Sequence, residues 1–287
     1  MAILLTGGTG KTSIRLARFL QEAKIPFLLA SRKAETAAPS GMRATKFDWL
    51  NASTFEKPFQ HAFPNGERIA ALYLVAPEVS DPAPSMTAFI DHAATAHGVK
   101  RFVLLAGSSA ELGGAGVGKV WQHLVDLGVE YCVLRPTWFM ENLLEEQHVA
   151  SIRDEGKIYT ACGDGKIPFV SATDIAAVAF RALVDVSSHN AEYRVLGPAL
   201  LTYDEIAAKL SSVLARHIVH VKCSGEERTR RLMNAGMPEH YASFYAWLEE
   251  TAATGVEERS NHAVEQVTGR PRLTFEAWAQ QNRTAWQ

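Results

Sequence analysis

Cysteine is scarce in this chain. Cys132, Cys162 and Cys223 are widely spaced and odd in number among 287 residues. No C-x-x-C pair occurs, so neither a disulfide framework nor a cysteine-held zinc is indicated, and a reducing, cytoplasmic setting is the expectation. An excess of either charge is also lacking. The 29 basic and 31 acidic side chains leave a net charge of −2, without the basic footprint that nucleic-acid binding needs. No apolar run reaches the roughly eighteen residues of a membrane span. The opening Met1-Ala-Ile-Leu-Leu-Thr-Gly-Gly has no basic flank and runs straight into glycines, so no secretory leader is expected. Chemical motifs are missing too. The chain has no G-x-S-x-G elbow, no H-x-x-x-H pair and no evident acid–histidine array, so esterase and metal chemistry find no support in the pattern.

What is present is alternation. Apolar residues make up 47% and charged residues 21%, the balance of a globular chain with enough length for a sizeable core. Short apolar runs at 3–6, 26–31, 43–47, 69–75, 101–106 and 130–134 read as strands. Helical periods at 11–23, 87–97 and 117–127 separate several of them, and Gly98 and Gly128 follow as C-caps. Repeated strand–helix–strand units imply an α/β fold: a Rossmann-type, doubly wound parallel sheet with helices on both faces. Asp81-Pro-Ala-Pro reads as a local loop. From about Leu143 onward the pattern is less regular. Helices are expected at 173–184, 202–214, 225–235 and 240–251, with strands near 193–196 and 217–221. The expected division is a dinucleotide-binding domain at 1–142 and a smaller, mostly helical substrate lobe at 143–287, with some segments returning to the sheet.

The turn Thr6-Gly7-Gly8-Thr9-Gly10-Lys11-Thr12-Ser13 joins the first strand to the first helix. Glycines there permit a tight turn and a close approach by a pyrophosphate, which the helix N-terminus attracts. Gly10-Lys11-Thr12 imitates a P-loop, but Leu5 stands where that motif needs its first glycine. A structural turn without a ligand is the other alternative. The second strand ends Ser31-Arg32-Lys33. An NAD site commonly has an acid here for the ribose 2′-OH, whereas a hydroxyl and two cations suit a 2′-phosphate. NADPH is therefore expected over NADH, unless Arg32 and Lys33 are only a solvated loop. Asp48 could accept from the adenine amino group; Trp49 beside it is equally a core residue.

Carbonyl-reducing short-chain enzymes commonly use Tyr-x-x-x-Lys after the fifth strand, the tyrosine protonating the nascent alkoxide. Here Lys119 has Ala115 four residues before it. Hydride added to C=N⁺ gives a neutral amine and needs no such acid. The pattern therefore suits an iminium acceptor, or no chemistry at all. Lys119 is a candidate for the nicotinamide ribose or a solvated helix lysine, and His123, one turn on, a structural residue or an acid. After the sixth strand come Trp138, Phe139 and Met140, an apolar wall suited to a flat indole and a cationic iminium. Glu141 could add Coulomb attraction and Asn142 a hydrogen bond. Packing of the lobe is the alternative for each. Phe169, Tyr245 and Trp247 are further candidates for the pocket or for the core.

Together, Thr6-Gly-Gly-Thr-Gly, Ser31-Arg32, Phe47-Asp-Trp-Leu50, Arg101-Phe-Val-Leu-Leu105, Gly165-Lys-Ile-Pro-Phe169 and especially Leu134-Arg-Pro-Thr-Trp-Phe-Met-Glu-Asn142 resemble the NmrA-like atypical short-chain dehydrogenases. Among these the chain is similar to the fungal ergot-alkaloid festuclavine and agroclavine dehydrogenases. The resemblance implies a Rossmann domain, NADPH, and hydride transfer to an iminium of a small-molecule indole alkaloid. It places Gly7, Gly10, Lys11, Thr12, Ser31, Arg32, Asp48 and Trp49 at the cofactor, and Gly8 and Thr9 of the same turn and Lys33 beside Arg32 are expected with them. It sets Val75, Ala76 and Pro77 along the pyrophosphate and ribose, and Pro136, Thr137, Trp138 and Phe139 beside the nicotinamide. Ser108 joins the cofactor set, although Gly107-Ser108-Ser109-Ala110 departs from the Ser-Ala-Ser type segment of those enzymes, and the C-terminal helices diverge most. Two other outcomes stay open: a redox-coupled cyclisation of a prenylated indole, and a dinucleotide sensor that turns nothing over. No nucleic-acid or membrane partner is expected, and the expected state is a monomer or weak homodimer.

Overall fold

Ala2-Ile3-Leu4-Leu5 has no polar alternate face, so a strand built from it needs cover on both sides. In the computed structural model, which describes residues 1–34 and 38–287, these four residues form a fully buried β1 (Ala2–Leu5). The chain continues as α1 (Lys11–Glu22), β2 (Phe27–Ser31), β3 (Ala44–Lys46), β4 (Ile69–Val75), α2 (Ala83–His97), β5 (Arg101–Leu105), α3 (Val117–Asp126) and β6 (Glu130–Pro136). Then follow α4 (Glu146–Ala150), β7 (Lys157–Thr160), α5 (Ala172–Val184), β8 (Ala191–Val195), α6 (Tyr203–Leu214) and β9 (Val219–Lys222). The last helices are α7 (Gly225–Asn234), α8 (Glu239–Ala253), α9 (Ala263–Thr268) and α10 (Phe275–Asn282).

Two units share the chain. Unit 1 comprises Met1–Pro136, Ala172–Val195 and Gln266–Gly269; unit 2 comprises Thr137–Ser171, Leu196–Glu265 and Arg270–Gln287. The first break therefore falls between Pro136 and Thr137 rather than after residue 142.

Unit 1 is the parallel, doubly wound sheet, in the order β3-β2-β1-β4-β5-β6-β8. Ile3, Leu4 and Leu5 pair with Phe27, Leu28 and Leu29 on one side, and with Ala71, Leu72 and Tyr73 on the other. Strand order reverses at β1, the position at which such sheets open a crevice at their carboxyl ends. On one face Phe47, Trp49, Phe55 and Phe89 form a closed aromatic cluster, with Phe47 4.7 Å from Phe89 and 4.9 Å from Trp49. Each such side chain contributes about 1.5–3 kcal/mol by leaving water. On the opposite face α1 packs on α5, with Phe19 6.1 Å from Phe180.

α2 starts at Ala83, four residues before the helical period read from sequence. Pro82 and Pro84 look like loop residues, but a proline in the first turn loses no helical hydrogen bond. Asp81 Oδ1 accepts from the Ala83 amide at 3.1 Å and satisfies one of the exposed donors there.

Unit 2 carries a two-stranded parallel sheet of β7 and β9 and an aromatic core built on Phe169, Tyr203, Phe275, Trp278 and Trp286. β7, α9 and α10 had no clear signal in the sequence because each is short. The strand expected near 193–196 belongs to unit 1, where β8 pairs with β6. No helix among the described residues is long and apolar enough to cross a membrane.

Candidate functional site: a glycine-lined cradle in unit 1

Thr6 closes the end of β1. Its hydroxyl donates to the Tyr73 carbonyl at 2.9 Å and accepts from the Val75 amide at 2.8 Å, which locks β1 to β4. The chain then turns through Gly7 and Gly8, both at positive φ (+81° and +55°). A Cβ on Gly7 would lie 2.9 Å from Val75 Cβ, and one on Gly8 would lie 2.8 Å from Ser31 Cβ. The turn is thus pressed against the ends of β4 and β2, and only glycine fits. Ser13 Oγ donates back to the Thr6 carbonyl at 2.8 Å, and the Gly10 amide donates to the Gly7 carbonyl at 2.9 Å.

The N-terminus of α1 follows at Gly10. It has no side-chain cap and no acidic residue in its first turn. A helix start of this kind presents backbone donors and a positive dipole end without a built-in anion. The residues present fit a phosphorylated dinucleotide: a side-chain-free glycine turn and an uncapped helix start for a pyrophosphate, and exposed cations beyond the end of β2 for a 2′-phosphate. Gly7→Ala should therefore lower stability by about 1–3 kcal/mol, through positive-φ strain and the collision with Val75. It should weaken dinucleotide binding at the same time; thermal melts with and without the coenzyme check both.

Ser31 ends β2, and its hydroxyl accepts from the Lys33 amide at 3.2 Å. Arg32 and Lys33 follow as exposed residues. Asp48 Oδ1 accepts from the Leu50 amide at 3.0 Å and so shapes the turn after β3. Trp49 is a core residue, and its indole N–H donates to the Val75 carbonyl at 3.1 Å. Val75, Ala76 and Pro77 are half-buried along this end of β4. Thr12 is buried, and its hydroxyl accepts from Tyr73 Oη at 3.0 Å, a bond no sequence spacing announces. Burial pushes the Tyr73 phenol up, so it stays protonated.

Lys119 donates to Asp81 Oδ2 at 3.1 Å in an exposed ion pair. The contact holds the Asp81 carboxyl below its ordinary range. Ser108 is buried, and its carbonyl accepts from Arg135 Nη2 at 3.0 Å. Arg135, which no motif marks as a site residue, organises the loop after β5. Only 2% exposed, it also reaches Glu111 at 2.7 Å and Glu192 at 3.0 Å. A charged residue between Leu134 and Pro136 in a buried strand was the available signal, because such a group survives only if paired.

In unit 2, Trp138 and Phe139 are half-buried and are held by a short bridge: the Val170 amide donates to the Trp138 carbonyl at 3.0 Å, and the Met140 amide donates to the Val170 carbonyl at 2.9 Å. Met140 and Phe169 lie in the core of the unit. Thr137 donates to Glu257 Oε2 at 3.1 Å. Glu141 is buried and accepts from Trp278 Nε1 at 3.2 Å. Asn142 is half-buried. Tyr245 and Trp247 are exposed on α8. The partly accessible aromatic wall is therefore Trp138 and Phe139.

One expectation is corrected. An acid–histidine array does exist: Glu56 Oε2 accepts from His92 Nε2 at 3.0 Å and from His97 Nε2 at 2.9 Å. The acid is 36 residues from the nearer histidine, so no local pattern reveals it. His123 Nε2 likewise sits 2.8 Å from Asp91 Oδ1, which makes it a hydrogen-bond partner on the helix surface.

No family model matches the chain. Individual relatives do. The chain is 45% identical to festuclavine dehydrogenase of Aspergillus fumigatus, over 100% of its own length and 99% of that protein. It is 42% identical to agroclavine dehydrogenase of Claviceps fusiformis, with the same shares covered. Among solved structures it is similar to triphenylmethane reductase of Citrobacter sp. complexed with NADP(H), with a TM-score of 0.79, 22% identity, and 98% and 99% of the two chains covered. That last likeness establishes the fold.

Proposed function

Because this chain belongs to the family of the festuclavine and agroclavine dehydrogenases, among the atypical short-chain dehydrogenases, we propose that it is an NADPH-dependent oxidoreductase of indole-alkaloid biosynthesis that reduces an iminium carbon. Reduced nicotinamide, when bound, supplies the hydride. The chain's own residues supply binding and exclusion. The Gly7–Gly10 turn and the start of α1 receive the pyrophosphate, and Arg32 and Lys33 attract the 2′-phosphate. The π faces of Trp138 and Phe139 favour a flat cation over a neutral carbonyl.

One observation weighs most for the iminium. Four residues before Lys119 stands exposed Ala115, and the Lys119 ammonium is already paired with Asp81. Tyr73, in β4, is buried and its O–H is engaged in a hydrogen bond to Thr12. A ketone would leave an alkoxide without these acids, whereas an iminium ends as a neutral amine. For such a step, alignment of hydride donor and acceptor is the main source of rate enhancement.

The test is purified protein, NADPH, and an iminium formed in situ from an indole aldehyde carrying a secondary amine. Loss of nicotinamide absorbance is expected, with a neutral amine that carries one hydrogen, delivered as hydride, more than the iminium cation. Tight NADPH binding without turnover of any iminium would leave a sensor. A new ring system without net NADPH loss would make the protein a cyclase.

A further inference from the structure

The last two turns of α2 read Asp91-His92-Ala-Ala-Thr-Ala-His97, closed by Gly98 in the left-handed conformation. Histidines five apart are rotated by about 140° on an ideal helix, so the helix alone does not aim them at one point. A third element does. Glu56 sits in the turn between two short 3₁₀ segments (Ala52–Thr54 and Lys57–Gln60), and one of its oxygens receives both imidazoles. Phe59, from the second of these segments, fixes the rings. It stacks on His97 with centroids 3.8 Å apart and planes 2° from parallel, and it meets His92 edge-on at 5.9 Å.

We propose that Glu56, His92 and His97 form a binding site for one divalent cation of borderline softness, of which Zn²⁺ is the probe. Three donor atoms, Glu56 Oε2 and the two Nε2 atoms, lie within 4.8 Å of one another. Tetrahedral zinc with bonds of about 2.0–2.1 Å holds its ligand atoms roughly 3.3 Å apart. The two oxygen–nitrogen separations of 3.0 and 2.9 Å need a few tenths of an ångström of expansion, and the two ring nitrogens must settle to the same spacing from a separation within 4.8 Å. Two imidazoles and one carboxylate suit zinc, copper or nickel, while calcium and magnesium demand oxygen ligands. Each neutral ring moves its Nε2 proton to Nδ1, and the carboxylate stays ionised. Glu56 is 47% exposed and the rings 31% and 22%, so the cation has access and water completes the shell. A surface hollow lined by Phe59, His61 and His97 opens beside the cluster. A bound ion would staple the Glu56 turn to the end of α2. All of this lies within unit 1 and stands apart from the reading of the coenzyme cradle.

The test is calorimetric titration of ZnCl₂ into chelator-treated, full-length protein, with MgCl₂ as comparison, and thermal melts alongside. We expect one zinc per chain, a higher melting temperature, and no response to magnesium. His97→Ala and Glu56→Gln should each weaken zinc by more than about 100-fold, beyond the 10–100-fold that loss of an outer-shell partner brings. Glu56→Gln keeps the size and partial exposure of the side chain, so it remains informative if His97→Ala does not fold. His123→Ala, which removes the neighbouring two-residue pair, and Cys223→Ser, which removes the half-buried thiol, should leave zinc binding unchanged. Absence of binding by the parent protein, or equal binding by the parent and Glu56→Gln, overturns the site.

Discussion

Arg32→Glu should cut NADPH affinity by roughly 100-fold or more and leave NADH affinity within a few-fold of the parent. A charge-assisted hydrogen bond to a charged group contributes about 1.5–3 kcal/mol, and each 1.4 kcal/mol is about tenfold in binding. The carboxylate adds repulsion of the doubly charged 2′-phosphate to the lost attraction. Arg32 is exposed just beyond β2, so its replacement leaves the core untouched. The end of β2 is also where Ser31 presses against the Gly8 turn, so a group there lies at the edge of the cradle. Fluorescence titration of both coenzymes against both proteins reads the result directly. Equal weakening of NADPH and NADH would remove the 2′-phosphate role from Arg32 and return it to a solvated loop.

Arg228→Met should cost about 3–5 kcal/mol of stability in unit 2, the range for removing one partner of a buried ion pair. Arg228 and Glu249 are 3% and 4% exposed, with Nη2 2.9 Å from Oε1. Arg228 Nε also lies 3.0 Å from both carboxylate oxygens, and the Ala161 amide donates to Oε2 at 2.7 Å. Without the guanidinium, Glu249 is left as a buried charge with a single backbone donor or must take up a proton. Burial already pushes its carboxyl up against the pull of Arg228. His148 completes the cluster with Nε2 3.4 Å from Arg228 Nη2. Burial and the guanidinium hold its pKa well below the ordinary value, so the ring is neutral. A guanidinium only donates, which assigns the acceptor role to Nε2 and the ring proton to Nδ1. The double variant Arg228→Met/Glu249→Leu should recover most of the loss, because it removes both desolvated charges. Urea denaturation of the three proteins checks the pattern. A single-variant loss under about 1 kcal/mol would mean that the pair adds little to unit 2.

The sheet was readable because its strands are buried on both faces and therefore continuous in apolar residues. Leu28-Leu29-Ala30 and Phe102-Val103-Leu104 admit no other placement between helical periods. The glycine turn was readable for a related reason. Positive φ at Gly7 and Gly8 excludes other residue types, so a geometric demand appears directly as composition. α2 shows where local pattern misleads: prolines that signal a loop in isolation are tolerated in a first helical turn, and Asp81 accepts from the Ala83 amide there.

Side-chain destinations were less legible. Trp49 and Met140 look alike as candidates for a ligand wall or a core, and only packing assigned both to the core. Lys119 keeps the spacing of a ribose-binding lysine, yet its partner Asp81 lies 38 residues away. Arg135 reads as an isolated cation in an apolar strand until Ser108, Glu111 and Glu192 converge on it.

By itself the sequence determined the parallel α/β sheet, the place of the turn after β1, and membership of the dehydrogenase family, because period, glycine and long motif runs are local properties of the chain. Tertiary structure alone decided the break at Pro136, which segment (β8) returns to the first sheet, the burial of Arg228 with Glu249, and the meeting of Glu56 with His92 and His97. Those four depend on which distant segments share a neighbourhood, and Coulomb and hydrogen-bond energies act over a few ångströms of space whatever the separation along the chain.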